Sequence, residues 1–138
     1  MSVTMKWIGL DEEYAQLATL PADLTTDTVP EVERIATNAE ATIRAGYPVR
    51  TGNLRNGLTV QIRQEPMAVK AVVINTSPDA VLYERGTQAR HTAIGANRGS
   101  MPADPIFSAT LIRARRTLYD TAVPDVLTEH GLTVTGRA

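Results

Sequence analysis

The two histidines are the side chains that could serve as a general base near neutral pH. His91 lies in a long segment without periodicity, and His130 follows a run with helical spacing that ends at Gly131. A hydrolytic triad requires a nucleophile, a base and an orienting group that converge in a cleft. We interpret His91 as a loop or interface residue, and His130 as a residue stabilised by the negative end of a helix dipole. A small hydrolase that uses His91 is therefore the least favoured function.

Other chemistry is equally weakly indicated. The chain has no cysteine, which excludes disulfides and thiolate metal sites. Neither a His-x-x-x-His pattern nor a carboxylate cluster has the spacing of metal ligands, and Asp11, Glu12 and Glu13 are typical of a solvated first helical turn. Gly95 and Gly99 lack the preceding strand and following helix of a phosphate-binding loop. We predict no catalytic residue, no metal and no cofactor, and the chain is not expected to be an enzyme.

Arginines supply the remaining candidate chemistry. Arg90 and Arg98 lie in the aperiodic segment, and three more arginines, Arg113, Arg115 and Arg116, follow in a predicted helix. Such residues could contact nucleic acid, but the net charge of −1 gives no overall basic excess. A nucleic-acid-binding module is therefore kept as an alternative function of a different class.

The composition limits the fold that must position these residues. The 138 residues suggest a single domain, 1–138, and the hydrophobic content of 43% is typical of a globular protein. Aromatic residues make up only 4%, so the core must consist mainly of Val, Leu, Ile and Ala. A core this small favours self-association, which would bury additional surface. No apolar run reaches transmembrane length and no secretion signal is evident, so we expect synthesis in the cytoplasm and no membrane partner.

Helical spacing dominates the first third of the chain. Residues 10–20 form one predicted helix, which Pro21 is expected to end. A second helix is predicted from about Pro30 to Ala45, with Glu40 and Arg44 as a surface pair. Its apolar residues lie on one face: Val32, Ile35, Ala36, Ala39 and Ile43.

The apolar period changes from helical to alternating within residues 47–58. Pro48 excludes the helical conformation at the preceding residue, and Gly46 is predicted to close the helix in the left-handed conformation. Gly52 and Asn53 tolerate positive φ. The segment is therefore predicted to be a helix-to-strand turn.

Alternation then predicts an antiparallel hairpin of strands 58–64 and 68–75, followed by a third strand, 80–85. The aperiodic segment 86–104 is a predicted interaction loop, because loops of this length are usually functional or disordered. A helix is predicted from Pro105, with Phe107, Leu111, Ala114 and Leu118 on its buried face. Pro124 is expected to interrupt it before a short helix to His130, and residues 132–135 fit a last strand or an arm. The structure of 121–138 is otherwise not predicted.

These elements predict an α+β fold. It comprises a small, mainly antiparallel sheet packed against a long helix from the N-terminal half and a helix from the C-terminal part. A long loop joins the last main strand to the C-terminal helix.

Three short motifs occur in a characteristic order. A helix leads into Pro48-Val49-Arg50-Thr51-Gly52-Asn53-Leu54-Arg55, strands lead to Tyr83-Glu84-Arg85-Gly86-Thr87, and Pro102-Ala103-Asp104-Pro105-Ile106-Phe107 opens a helix. Over most of residues 7–120 the chain resembles the HK97 gp10-like family of tailed-bacteriophage proteins, which also occurs in prophages and gene transfer agents. The family usually has Ser at the position of Gly57 and an uninterrupted Pro-Phe pair where Ile106 separates Pro105 from Phe107.

The resemblance implies a structural protein of the virion, located at the head–tail junction. Such proteins complete or terminate the tail tube, or form part of the neck. They assemble as a ring, generally a hexamer, that contacts the tail tube protein and the head connector or head-closure protein. DNA passes through the lumen of such a ring without sequence recognition. A head-closure ring is the alternative within this class.

A closed ring requires a heterologous interface, in which one patch meets a different patch on the neighbour. We expect the 86–104 loop, exposed strand edges and the terminal segments to make such contacts. The residues predicted to contact a subunit or partner are Trp7, Arg50, Arg55, Glu84, Arg90, His91, Arg98 and Met101.

Overall fold

A computed structural model describes residues 10–135 of the chain, with side chains from Leu20 onward. The fold is α+β, as predicted, with a two-stranded antiparallel sheet beside a long helix and a C-terminal helix. In chain order the elements are α1 (Leu10–Gly46), α2 (Asn53–Asn56), β1 (Leu58–Glu65), β2 (Ala68–Asn75), α3 (Ala80–Arg85), α4 (Ile106–Thr117), a π-helical turn (Leu118–Ala122) and α5 (Val123–Glu129).

Helix α1 is a single helix of 37 residues that passes through both prolines, so the predicted break after residue 20 was wrong. The threonines between the prolines donate their hydroxyls to the carbonyls four residues earlier, as in the 2.7 Å bond from Thr25 to Pro21. Thr26 and Thr28 make the same type of bond, at 2.9 and 2.5 Å. The hydroxyls are thus satisfied within the helix, so the threonine-rich stretch does not break it.

The predicted apolar face of α1 is buried. Its five residues are no more than 8% exposed, and helix α1 packs on both strands and on α4. Burial of this face stabilises the helix more than its local propensity does, which explains why it tolerates two internal prolines. The predicted pair of Glu40 and Arg44 is also formed.

The core is centred on Ile43, Tyr47 and Leu58, all at most 3% exposed. The rings of Tyr47 and Tyr83 meet edge to face, with centroids 5.5 Å apart. The remaining core contacts come from half-buried residues of three other elements, α2, β2 and α4: Leu54, Val73, Ile106, Phe107 and Leu111. Two of these, Phe107 and Leu111, belong to the predicted buried face of the C-terminal helix.

Strands β1 and β2 form the predicted hairpin, with a register that runs from Leu58 opposite Asn75 to Glu65 opposite Ala68. Leu58 is buried and Val60 and Ile62 are half-buried, whereas the residues between them are exposed. The alternation therefore identified the inner face of β1 correctly.

The predicted third strand, 80–85, is a helix instead. Ala80, Tyr83 and Glu84 point inward while Val81 and Leu82 are exposed, which is helical rather than alternating spacing. A run of six residues is too short for its apolar pattern alone to distinguish the two structures.

Pro124 does not interrupt the C-terminal helix, since α4 continues through the π-helical turn into α5. Pro124 is the second residue of α5 and is buried. The helix ends at Glu129, and Gly131, which was predicted to stop it, follows two residues later with a φ of 76°. Residues 132–135 form no strand. Within residues 10–135, no helix is both long enough and apolar enough to cross a membrane.

Candidate interaction surface

The 47–58 turn joins the end of α1 to the sheet through the short helix α2. Gly52 precedes this helix with φ 76°, the positive value predicted for it. Gly46 does not have positive φ, so its predicted left-handed role was wrong. A Cβ at Gly46 would instead collide with the side chain of Ile106. The glycine therefore allows α4 to approach the end of α1.

Arg55 covers the end of α1. Its Nε and Nη2 atoms donate to the Tyr47 carbonyl at 3.0 and 2.8 Å. Arg44 in turn donates to the Arg55 carbonyl at 2.8 Å. Carbonyls at a helix C-terminus lack intrahelical partners and carry partial negative charge, so a guanidinium stabilises them. Arg55 thus has a structural role within the subunit.

Asn75 connects the same turn to the sheet. Its side-chain amide donates to the Leu54 carbonyl at 3.0 Å and to the Tyr47 hydroxyl at 3.3 Å. Burial raises the pKa of Tyr47, because a phenolate would be poorly solvated there. The turn is therefore held by backbone capping and buried hydrogen bonds rather than by a reactive group.

Glu84 caps the start of α4. Its carboxylate accepts hydrogen bonds from the Phe107 and Ser108 amides at 2.5 and 3.3 Å, and from the Ser108 hydroxyl at 2.9 Å. A carboxylate is favoured there because the first amides of a helix are unpaired and electropositive. The second and third motifs are thus joined in space by a helix cap.

Tyr83 makes a second connection between these motifs. Its hydroxyl donates to an Asp104 carboxylate oxygen at 2.7 Å. This hydrogen bond raises the pKa of Tyr83 to about 12, because the carboxylate accepts only from the protonated phenol. Tyr83 therefore remains neutral well above physiological pH.

The segment between these connections is a hairpin-like arm, defined here as Thr87–Met101. Thr87 and Met101 form an antiparallel bridge at its base, with hydrogen bonds of 2.8 and 3.0 Å. Farther out, the Arg90 amide donates to the Gly99 carbonyl and the Arg98 amide donates to the Arg90 carbonyl. The segment that the sequence predicts as an aperiodic loop is thus ordered by hydrogen bonds across its two halves.

Gly86 allows the arm to leave α3 at this point. Its φ is 72°, and a Cβ there would lie 2.7 Å from both the Met101 carbonyl oxygen and the Ala103 amide nitrogen. Any other residue would therefore combine an unfavourable backbone conformation with a steric collision at the base of the arm.

The outer part of the arm is exposed and carries both charge and an apolar tip. Ile94 is 92% exposed, an unusual position for an isoleucine. Arg90, His91 and Arg98 are exposed beside it, whereas Met101 at the base is half-buried.

The predicted contact residues therefore fall into separate groups. Arg90, His91 and Arg98 lie together on the arm, with Met101 at its base. Arg50 is exposed in the turn near α2, while Arg55 and Glu84 are half-buried caps. Trp7 lies outside the described residues.

The described residues contain no group of three or more potential metal ligands. His91 is exposed on the arm rather than in a cleft, and it is bridged to Asn97 through the backbone. His130 lies 2.7 Å from the Asp27 carboxylate, a contact between α1 and the end of α5. The sequence could not reveal that contact, because the two residues are 103 positions apart. The arm is thus the part of the described structure on which three of the predicted contact residues, Arg90, His91 and Arg98, are exposed together.

Comparisons with known proteins add no assignment: no family model matches the chain, and no curated protein or solved structure matches it.

Proposed function

We propose that this chain is a structural, non-enzymatic component of a phage virion or gene transfer agent. In this proposal it forms a ring at the head–tail interface, where it completes or terminates the tail tube and joins it to the head connector. The observation that carries the proposal is the exposed arm Thr87–Met101, which is fixed at its base and ends in an apolar tip.

The contacts of the three motifs support this interpretation. Arg55 caps α1, Glu84 caps α4, and Gly86 permits the close approach at the base of the arm. The motifs thus build a framework that holds the arm, and they present no reactive group. This is what the resemblance to the HK97 gp10-like family implies, since those proteins act by assembly rather than by catalysis.

The modest core supports assembly. Only ten hydrophobic residues of the described region are buried, while ten large apolar side chains remain exposed. Contact with other subunits would bury more of this exposed apolar surface. A ring of about six copies, in contact with the tail tube protein on one side and the head connector on the other, would cover it.

The decisive experiment is electron cryomicroscopy of particles that contain this chain, with the chain traced in the density. We expect a ring at the head–tail junction in which the arm contacts another subunit or the next ring. Density that places the chain next to the portal would favour the head-closure alternative. A particle that lacks the chain at the junction would refute both.

The arm also supports one function of another class. Arg90 and Arg98 are hydrogen-bonded neighbours across it, so their guanidinium groups project from a common exposed segment. A nucleic-acid-binding module that used them would bind DNA with an affinity that falls steeply with salt concentration. Titration of the purified chain with duplex DNA at two salt concentrations tests this, and no binding at low salt would exclude it.

A further inference from the structure

An apolar groove of about 440 Å³ lies between α1, β2 and the C-terminal helix. Its floor is the buried face of α1, from Val32 to Ala39, and its walls include Ala71 of β2 and Leu118 of the π-helical turn. This volume lies within the range of about 300–1,000 Å³ found for binding pockets. The groove is large enough to accept a bulky aromatic side chain.

The rim of the groove is basic. Lys70 and Arg115 are the two charged residues among the described residues that line it, and the Lys70 ammonium forms a 3.2 Å ion pair with Glu65, so the positive charge of the rim comes mostly from Arg115. Arg115 lies over the ring of Tyr119, 5.7 Å from its centroid, and Tyr119 is 59% exposed. Arginine and tyrosine are enriched among the residues that dominate protein interfaces. The groove therefore fits an apolar segment that is followed by negative charge.

The chain itself contains a segment with this chemistry. Trp7-Ile8-Gly9-Leu10 is apolar, it includes the single tryptophan, and Asp11-Glu12-Glu13 follow directly. The acidic residues lie in the first turn of α1, immediately after the apolar residues. In this segment the apolar residues come first and the acidic residues follow directly. The apolar residues match the groove, and the acidic residues match its basic rim.

The segment cannot reach the groove of its own subunit. Trp7 is three residues from Leu10, so its Cα lies within about 11 Å of Leu10. Leu10 and Val32 are 22 positions apart in α1, which corresponds to about 33 Å along a helix axis. A proline kink bends a helix but does not fold it back on itself. An occupant with this sequence must therefore come from a second copy.

We propose that the groove of one subunit receives residues 7–13 of a second copy, with Trp7 in the apolar groove and the acidic turn beside Lys70 and Arg115. The inference rests on the proposed function, because a ring supplies the second copy. The contact is heterologous, since a groove on one subunit meets a terminal segment of another. Repeated around an axis, it would link every subunit to the next.

Cysteine cross-linking tests this directly, because the chain has no cysteine of its own. The Ile8→Cys protein is mixed with the Ala71→Cys protein, and the mixture is oxidised. Ala71 is chosen because it lines the groove and is exposed, so that its new thiol is accessible. We expect a disulfide-linked dimer from the mixture, and little from either variant alone. Ile8→Cys mixed with Ile94→Cys is the matched control, since Ile94 is fully accessible but lies on the arm.

Addition of Trp7→Ala to the Ile8→Cys protein should lower the yield of linked dimer at least tenfold. Trp7→Phe should retain most of it, because an aromatic ring still fills the groove. Arg115→Glu in the Ala71→Cys protein should lower the yield several-fold. Equal yields from the Ala71 mixture and the Ile94 control would overturn the proposal.

Two other results would also overturn it. One is an intramolecular link in the diluted double variant I8C/A71C, which would place the segment in its own subunit. The other is no link at protein concentrations up to about 1 mM, where even a contact of millimolar Kd is roughly one-third occupied. The cross-link does not depend on where the ring lies. A linked chain absent from the head–tail junction would therefore refute the proposed function alone.

Discussion

Arg55 and Glu84 each stabilise the end of a helix from outside that helix. Arg55 supplies two hydrogen bonds to the last turn of α1, and Glu84 accepts hydrogen bonds from the first turn of α4. Both side chains are charged, and both face the complementary end of a helix dipole. At the residue scale, the charged positions of the motifs thus determine how the helices end and begin.

Replacement of Arg55 by Ala should lower the free energy of unfolding by about 1.5–3 kcal/mol, because the Tyr47 carbonyl loses two charge-assisted hydrogen bonds. Urea denaturation monitored by circular dichroism measures this change. Arg50→Ala is the matched control, since Arg50 lies in the same turn and is exposed. It should change stability by less than about 0.5 kcal/mol. Equal effects of the two substitutions would contradict the capping role.

The raised pKa of Tyr83 predicts a loss of stability at alkaline pH. Its folded-state pKa of about 12 exceeds the ordinary value of 10.0, so folding favours the protonated phenol. The stabilisation is complete below the unfolded-state pKa and is lost as pH rises from 10 to 12. Ultraviolet titration should show a late-ionising tyrosine that is missing in Tyr83→Phe.

Denaturation of the two proteins at several alkaline pH values provides the control for that titration. The wild-type chain should lose more free energy of unfolding between pH 10 and 12 than Tyr83→Phe does, because the variant has no phenol at this position. Parallel losses in the two proteins would show that Tyr83 does not contribute to this dependence.

At the scale of elements, α1 determines the position of the rest. It packs on both strands, on α4 and on α5, and a hydrogen bond links its Asp27 to His130. Its continuity through Pro21 and Pro30 places these contacts along one axis. Each internal proline still removes a backbone hydrogen bond from the helix.

Pro30→Ala should therefore stabilise the chain, because Pro30 is exposed and alanine restores an amide that can bond to the Thr26 carbonyl. We expect a gain of about 1–3 kcal/mol in the free energy of unfolding, measured by urea denaturation. Pro48→Ala is the control with the opposite sign. Pro48 lies outside the helix, where proline restricts the unfolded chain, so its loss should cost up to about 1 kcal/mol.

A decrease in stability for Pro30→Ala would contradict this expectation. It would indicate that a bend at Pro30 is needed for α1 to contact the sheet and α5 together.

At the scale of the whole molecule, the core and the arm are separate parts of the described structure. The core around Ile43, Tyr47 and Leu58 receives no residue from the arm. The arm instead exposes its apolar tip, where Ile94 is 92% exposed. Changes to the arm and changes to the core should therefore have separable effects.

Deletion of Thr92–Ser100 should leave the subunit folded, with an unchanged urea midpoint, but should block assembly or head–tail joining. A milder variant is Ile94→Asp, which removes the apolar tip and keeps the length of the arm. Ile112→Asp is its matched control, because Ile112 is also exposed but lies on α4. The measurement is the yield of infectious or DNA-transferring particles, and a normal yield from the deletion would refute this role of the arm.

Part of this architecture is determined by local sequence pattern. The sequence predicted three of these features: the buried face of α1 from Val32 to Ile43, the hairpin 58–75, and the helix that follows Pro105. In each case the spacing of apolar residues identifies the buried face, because the periods of helices and strands are set by backbone geometry. The positive φ of Gly52 could also be predicted, because glycine has no Cβ and tolerates this conformation.

Tertiary contacts decided the rest. Packing against the sheet and α4 stabilises α1 despite its two prolines. Residues Ala80–Arg85 form a helix, from which Glu84 accepts hydrogen bonds from the amides of α4. Hydrogen bonds between distant positions, such as those of Arg55 with Tyr47 and of Tyr83 with Asp104, convert charged or polar motif residues into structural ones. The sequence marks which residues prefer burial, but it does not state which partners they meet, because those pairings depend on how the whole chain packs.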